Sequence, residues 1–349
     1  MAEYLTPPLQ KIKSRLCNNP ENQSPLKIPA TPYLKQIGYG CGVNVFTLER
    51  SPKVGFARSP WAIKKRNSKD IKDVNLDKRI KLEADILKAL NHPNIIGFRA
   101  LTLSKTGAPC LAMEQLDQSL GDLIEERVEM GEDPFKAKDI EHVSYEIAKG
   151  LEYLHHTCNI LHGDLKSYNI LISKNMKIVK LCDFGVAVPV TEDLIMKEGY
   201  YYTGTEVWNA PEVISEEGPI TNKTDMWAYG LIIWEMIALS PPHVDHDENL
   251  DESDLDQSII DMDTSMKDDK NFNISSMNDS DIFPSNNKLG TRPALPAIEI
   301  GPEYDDVLQI FILCTDQDQT TRPSAKGVVM YFKNYILQSE SKSKATTKK

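Results

Sequence analysis

The chain has 349 residues, 40% of them hydrophobic, and a formal net charge of −11; it can bury a substantial core, and its acidic balance argues against a nucleic-acid-binding role. No apolar run is long enough to span a bilayer, and residues 1–22 mix Glu3, Lys11, Lys13 and Arg15 without the apolar centre of a secretion signal. Six cysteines with no C-x-x-C pair fit a soluble protein of a reducing compartment, with no membrane partner.

Residues 1–30 read as a mobile polar leader with little to bury. Thr6-Pro7 and Ser24-Pro25 suit upstream proline-directed kinases as partners. Next comes Gly38-Tyr39-Gly40-Cys41-Gly42-Val43-Asn44-Val45, a glycine-rich hairpin whose backbone N–H groups could approach phosphates because no Cβ intervenes. It keeps two glycines and the valine of G-x-G-x-x-G-x-V, but Val43 stands at the third glycine position and Gly42 one place early. Gly38, Gly40 and Gly42, with Ile37, Val45 and Ala62, are the expected nucleotide contacts on this side. Ala62-Ile63-Lys64 follows Trp61 in an apolar, β-compatible stretch, so Lys64 would hold the α/β-phosphates. Lys65 should face the other way, since strand side chains alternate.

Glu83 opens a helical run to Leu90 in which Leu87 and Leu90 share a face, and would pair with Lys64. His92-Pro93 then stops the helix. Further helices are expected around 120–128 and 138–156, the second carrying Ile140, Val143, Ile147, Leu151 and Leu154 at helical spacing. His155 and His156 read as helix-end or surface residues, and His162 as a packed one.

The most telling segments are His162-Gly163-Asp164-Leu165-Lys166-Ser167-Tyr168-Asn169 and, further on, Asp183-Phe184-Gly185. Phosphoryl transfer needs a carboxylate to orient the attacking hydroxyl, a lysine beside the transferred phosphate and ligands for Mg²⁺. Asp164 would be the base with Lys166 beside it, and Asn169 and Asp183 would hold Mg²⁺. Cys41 and Cys182 should lie near the nucleotide and are candidate sites for a covalent ligand. Asp225 to Gly230 begin an apolar helical run for which core packing is the expected role. Residues 244–288 form an acidic insert expected to be disordered, a spacer or a docking loop for basic partners. Residues 339–349 are a basic tail whose lysines could serve as a localisation signal, so cytoplasm and nucleus are both expected.

Across 31–338 these residues resemble the eukaryotic protein kinase superfamily. Ser59-Pro60-Trp61-Ala62-Ile63-Lys64-Lys65, Leu123-Ile124-Glu125-Glu126-Arg127 and His162-Gly163-Asp164 are similar to its PDZ-binding-kinase family, mitotic relatives of the MAP kinase kinases. The resemblance implies an α+β, two-lobed fold: a small β-rich lobe over 31–115 with one main helix, and a larger, mainly helical lobe over 116–338. It further implies ATP and Mg²⁺ as cofactors, protein serine or threonine as substrate and a role in mitosis and proliferation signalling. Met113 would sit at the gate of the adenine pocket and Glu114 would start the hinge, the backbone after Met113 bonding adenine. Thr205 would link the base to the substrate site, with Tyr200, Tyr201, Tyr202 and Thr203 as possible phosphosites. Glu212 of Ala210-Pro211-Glu212 would pair with Arg322.

The chain departs from the pattern twice. Gly163 replaces an arginine that in many kinases grips an activation-loop phosphate, so activity should not depend on a phosphate held at this point. Lys349 ends the chain where PDZ capture needs an apolar residue, which counts against PDZ binding. The rival reading is a pseudokinase or scaffold that binds nucleotide and partners without transfer. Its support is the irregular glycine hairpin and Gly163.

Overall fold

The computed structural model describes residues 34–40, 42–49, 60–67, 74–243, 288–296 and 300–334. Thr6, Ser24, Cys17, Cys41, the acidic stretch 244–287 and Lys349 lie outside the described residues.

Five strands, β1 (Lys35–Gly40), β2 (Val43–Leu48), β3 (Trp61–Arg66), β4 (Phe98–Leu103) and β5 (Pro109–Glu114), build an antiparallel sheet in the order β1-β2-β3-β5-β4. Gly40 pairs with Val43, so β1 and β2 are joined by a two-residue turn. Gly42 in that turn has φ +76, a conformation open to glycine without steric cost. The displaced glycine of the sequence pattern therefore serves the hairpin.

Helix α1 (Val74–Ala89) packs against this sheet. It begins well before Glu83 and ends before Leu90, which corrects the expected run. Leu76, Ile80, Ala84 and Leu87 form its buried stripe, a narrow i, i+4, i+8, i+11 series. The charges at Asp77, Lys78, Arg79 and Lys81 hide its first half from a short reading window.

The larger lobe is mainly helical: α2 (Leu120–Glu129), α3 (Ala137–Glu152), the short α4 (Pro211–Ile214), α5 (Asn222–Ala238), α6 (Asp305–Cys314) and a final helix through 325–334. Ser119 caps α2 by accepting the Asp122 N–H (3.0 Å), while the Asp122 carboxylate accepts the Ser119 N–H (3.1 Å), a capping box that satisfies two orphan donors. On α3 every expected apolar position is buried, and the helix continues as a π-helical turn over Tyr153–Cys158. From Thr224 to Ile237 every residue of α5 is buried, as an all-round apolar helix must be.

Short strands carry the connecting segments: β6 (Gln118–Ser119), β8 (Ile170–Ile172) and β9 (Val179–Leu181) form one sheet, and β7 (Ile160–Leu161) pairs with β10 (Val188–Pro189). One apolar cluster runs through both lobes, from Ala62, Ile80, Leu87 and Met113 to Ile140, Phe184 and Trp227. Arg322, only 1% exposed, donates to both Glu212 oxygens at 2.8 Å and so ties the segment before the final helix to α4. Among the described residues no helix is long and apolar enough to cross a membrane.

Candidate active site

Strand β3 places Ala62, Ile63 and Lys64 in the buried centre of the sheet. Lys64 Nζ lies 2.9 Å from Glu83 Oε2 of α1 and 2.8 Å from Asp183 Oδ2, so one ammonium joins strand, helix and the Asp183 segment. Burial disfavours its charge, but the Asp183 and Glu83 carboxylates outweigh that and raise its pKa. Partial desolvation opposes ionisation of Asp183, whose carboxylate stays 40% exposed, yet Lys64 and the Gly185 N–H hold its pKa down at about 2. Burial pushes Glu83 up to about 7, with Lys64 pulling against it. Lys65 stands over the Phe46 ring, 4.5 Å from its centroid, on the opposite face as expected.

Asp164 is held from three sides. Thr205 Oγ1 donates to its Oδ1 (2.6 Å), Asn169 Nδ2 donates to its Oδ2 (3.2 Å), and Lys166 Nζ stands 3.4 Å from Oδ2 while donating to Thr205 Oγ1 at 2.8 Å. The carboxylate is thus fixed in orientation by the protein's own groups. The expected link through Thr205 is a direct hydrogen bond.

His162 is fully buried. Its Nδ1 accepts the Asp164 N–H (3.3 Å), its Nε2 contacts the Cys182 carbonyl (2.9 Å), and its ring lies against Phe184 with centroids 5.1 Å apart. Through this side chain the Asp164 and Asp183 segments are set against each other.

Two readings from the sequence need correction here. Asp225 does more than pack: its carboxylate accepts the backbone N–H groups of His162 (2.8 Å) and Gly163 (3.3 Å) and contacts His155 Nε2 (2.8 Å). His155 is accordingly fully buried, whereas His156 is exposed. A buried aspartate at the start of an apolar helix, needing donors from elsewhere, was the available signal. Glu235 was also missed: its two oxygens accept Ser167 Oγ–H (2.7 Å) and Trp208 Nε1–H (2.8 Å).

On the hinge side, Met113 is buried and pairs with Ala62 across β3–β5. The Glu114 N–H already donates to Gly97 O at 2.8 Å, and the Glu114 carboxylate accepts the Gly97 N–H (3.1 Å) and faces Lys180 at 3.2 Å. Of Glu114, only the carbonyl could therefore face adenine. A cavity of about 410 Å³ opens beside this point, lined by Leu34, Ile37, Thr47, Gln115 and Asp117 among others, where Gln115 bridges to Thr47 (3.2 Å). Of the other expected contacts on the glycine hairpin, Gly38 pairs with Val45 across β1–β2. A Cβ on Gly38 would meet Val45 only at ordinary contact distance, 3.7 Å.

Burial, and next the Asp183 carboxylate, push the Cys182 thiol pKa up. That lowers the thiolate fraction a covalent ligand would use and weighs against the expectation for this residue.

Oxygen donors suit Mg²⁺, which takes few protein ligands and completes its shell with water and phosphate. Asp183 offers a carboxylate 40% exposed. Asn169 commits its Nδ2 to the Asp164 carbonyl and carboxylate, which leaves Oδ1 as the acceptor end of its amide. Among the described residues no group of three or more His, Cys, Asp or Glu gathers to hold a metal.

A family model of the protein kinase domain matches residues 33–332. The chain is 41% identical over 324 residues to the lymphokine-activated killer T-cell-originated protein kinase of Homo sapiens, covering 92% of this chain and 94% of that one. It is 31% identical to the mitogen-activated protein kinase kinase kinase zak-1 of Caenorhabditis elegans over 48% of this chain and 23% of the relative. It is 36% identical to mitogen-activated protein kinase kinase kinase 12 of Rattus norvegicus over 48% of this chain and 18% of the relative.

Proposed function

Because the chain belongs to the protein kinase family, we propose that it transfers the γ-phosphoryl group of ATP to serine or threonine of protein substrates, with Mg²⁺ as the metal. The observation that carries this reading is Asp164, held by Thr205, Asn169 and Lys166 in the same core as the Lys64–Glu83–Asp183 chain. In this reading Asp164 accepts the hydroxyl proton as the new O–P bond forms and the bond to the ADP oxygen breaks. Lys166 stands beside the transferred group, and Lys64, fixed by Glu83, orients the α/β-phosphates. Asp183 and Asn169 would hold Mg²⁺, which supplies neutralisation of phosphate charge. Ile37, Gly38, Gly40, Gly42, Val45, Ala62, Met113 and the Glu114 carbonyl would form the nucleotide side.

The division at residue 115 into two lobes, with a leader, an acidic insert and a basic tail outside the catalytic unit, belongs to the same proposal. So do the mitotic role, phosphorylation at Thr6 or Ser24 by proline-directed kinases, and residence in cytoplasm and nucleus.

The test is radiolabelled transfer from Mg-ATP to myelin basic protein and histone, with Asp164→Asn and Asp183→Asn controls and phosphoamino-acid analysis. Phosphoserine or phosphothreonine that vanishes in both controls is the expected result. ATP binding without transfer, even by protein taken from mitotic cells, would overturn the reading in favour of a scaffold.

A further inference from the structure

Between Gly199 and Asn209 the chain crosses over the catalytic loop, His162–Asn169, meeting it directly at Gly163, Asp164 and Lys166 and indirectly through Asp225 of α5. The Gly204 N–H donates to Gly163 O at 3.0 Å. Thr205 donates to Asp164 at 2.6 Å. Tyr202 Oη donates to Asp225 Oδ1 at 3.3 Å, the same oxygen that accepts the Gly163 N–H.

The Tyr202 contact differs in kind. Its acceptor is fully buried and already fixes the catalytic loop backbone at His162 and Gly163. Around it, the half-buried Tyr202 packs against the cluster of Leu161, Val188 and Val190. Tyr201, next in the chain, is 74% exposed and touches none of this. Gly204, at φ +59, has no room for a Cβ between Asn209 and the Tyr202 ring, so the backbone closes tightly behind the tyrosine. Gly163 offers no side chain to grip this segment.

We propose that Tyr202 is the positioning residue that docks the activation segment: its hydroxyl binds the carboxylate that anchors the catalytic loop, so Thr205 meets Asp164 without a phosphate on the segment. This rests on the kinase reading above. The two segments share one anchor, and lifting Tyr202 releases Gly204 and Thr205 together. Burial, reinforced by the Asp225 charge, keeps the phenol protonated far above neutral pH, so the contact persists across the working range.

The test is Tyr202→Phe in the full chain, which keeps the ring in its apolar seat and removes only the donor, with Tyr201→Phe as the exposed control. The first readout is amide hydrogen exchange over 199–206, which is independent of catalysis. Exchange there should rise in Tyr202→Phe and stay at the wild-type level in Tyr201→Phe. The second is steady-state kinetics: kcat for a protein substrate should fall by roughly 10- to 100-fold, the worth of one hydrogen bond to a charged acceptor. KM for ATP should hold, because Lys64, Glu83 and Asp183 are untouched.

Wild-type protein treated with phosphatase should keep both its activity and its low exchange. Unchanged exchange in Tyr202→Phe, or loss of order in the phosphatase-treated wild type, would overturn the proposal. If exchange rises in the variant while wild type transfers no phosphate, the docking role stands and it is the kinase reading that fails.

Discussion

Replacing Gly163 with alanine should damage the catalytic loop more than its small size suggests. Gly163 sits at φ +83, and a Cβ there would stand 2.5 Å from the carbonyl oxygen of Val186. The left-handed backbone costs a residue with a Cβ about 1 to 2 kcal/mol, and inserting a methyl group into a filled space adds about 1 to 3. Together that is about 2 to 5 kcal/mol, equivalent to roughly 4 to 10 °C in melting temperature for a folded unit of this size.

Relief requires the 163 backbone to move away from 186, and that backbone carries Asp164 and accepts the Gly204 N–H. A shift of about 1 Å at reacting groups costs on the order of a hundredfold in rate. Differential scanning calorimetry and steady-state kinetics should therefore show a lower melting temperature and a sharply lower kcat, with KM for ATP little changed. A Gly163→Ala protein with wild-type melting and wild-type kcat would refute the reasoning. For the same cause Gly163→Arg cannot serve as a clean probe of phosphate dependence. Backbone strain precedes any gain of a phosphate grip.

Arg322→Met leaves Glu212 buried without its partner and should cost about 3 to 5 kcal/mol by urea unfolding; a loss under 1 kcal/mol would show the pair to be dispensable. Glu235 is pushed up by burial to about 8, from an ordinary 4.5, although Trp208 and Ser167 pull it down. Between those values the folded chain keeps a proton the unfolded chain has released, so this group's contribution to stability falls as pH rises, by up to one proton of linkage. Melting curves from pH 5 to 9 should show Glu235→Gln with the flatter profile, and parallel profiles would contradict the assignment. With its thiol held protonated, Cys182 should resist iodoacetamide at pH 8 in the folded protein and react once unfolded. Rapid native labelling would count against it.

The chemistry of the site was legible because it depends on residue type at short spacing. A carboxylate, lysine and amide within 164–169, then Asp183, are required by phosphoryl transfer whatever surrounds them. Expectations failed where a role is set by a distant partner. His155 reads as the end of a helix until Asp225, from α5, comes to lie 2.8 Å away. The start of α1 was hidden because its first turns carry only a narrow apolar stripe among charges, and burial against the sheet, not propensity, makes it helical.

By itself, then, the sequence determined the family, the two-lobed architecture and which residues are the candidate reacting groups, since hydrophobic periodicity and local motifs encode these directly. Only the tertiary structure decided that Lys64 is shared between Glu83 and Asp183, that Gly163 is required by its backbone and that Tyr202 and the catalytic loop hang on one carboxylate. Each is a meeting of groups far apart in the chain. Buried polar atoms take whichever partners the packed fold brings within hydrogen-bond reach, and no local pattern specifies which those will be.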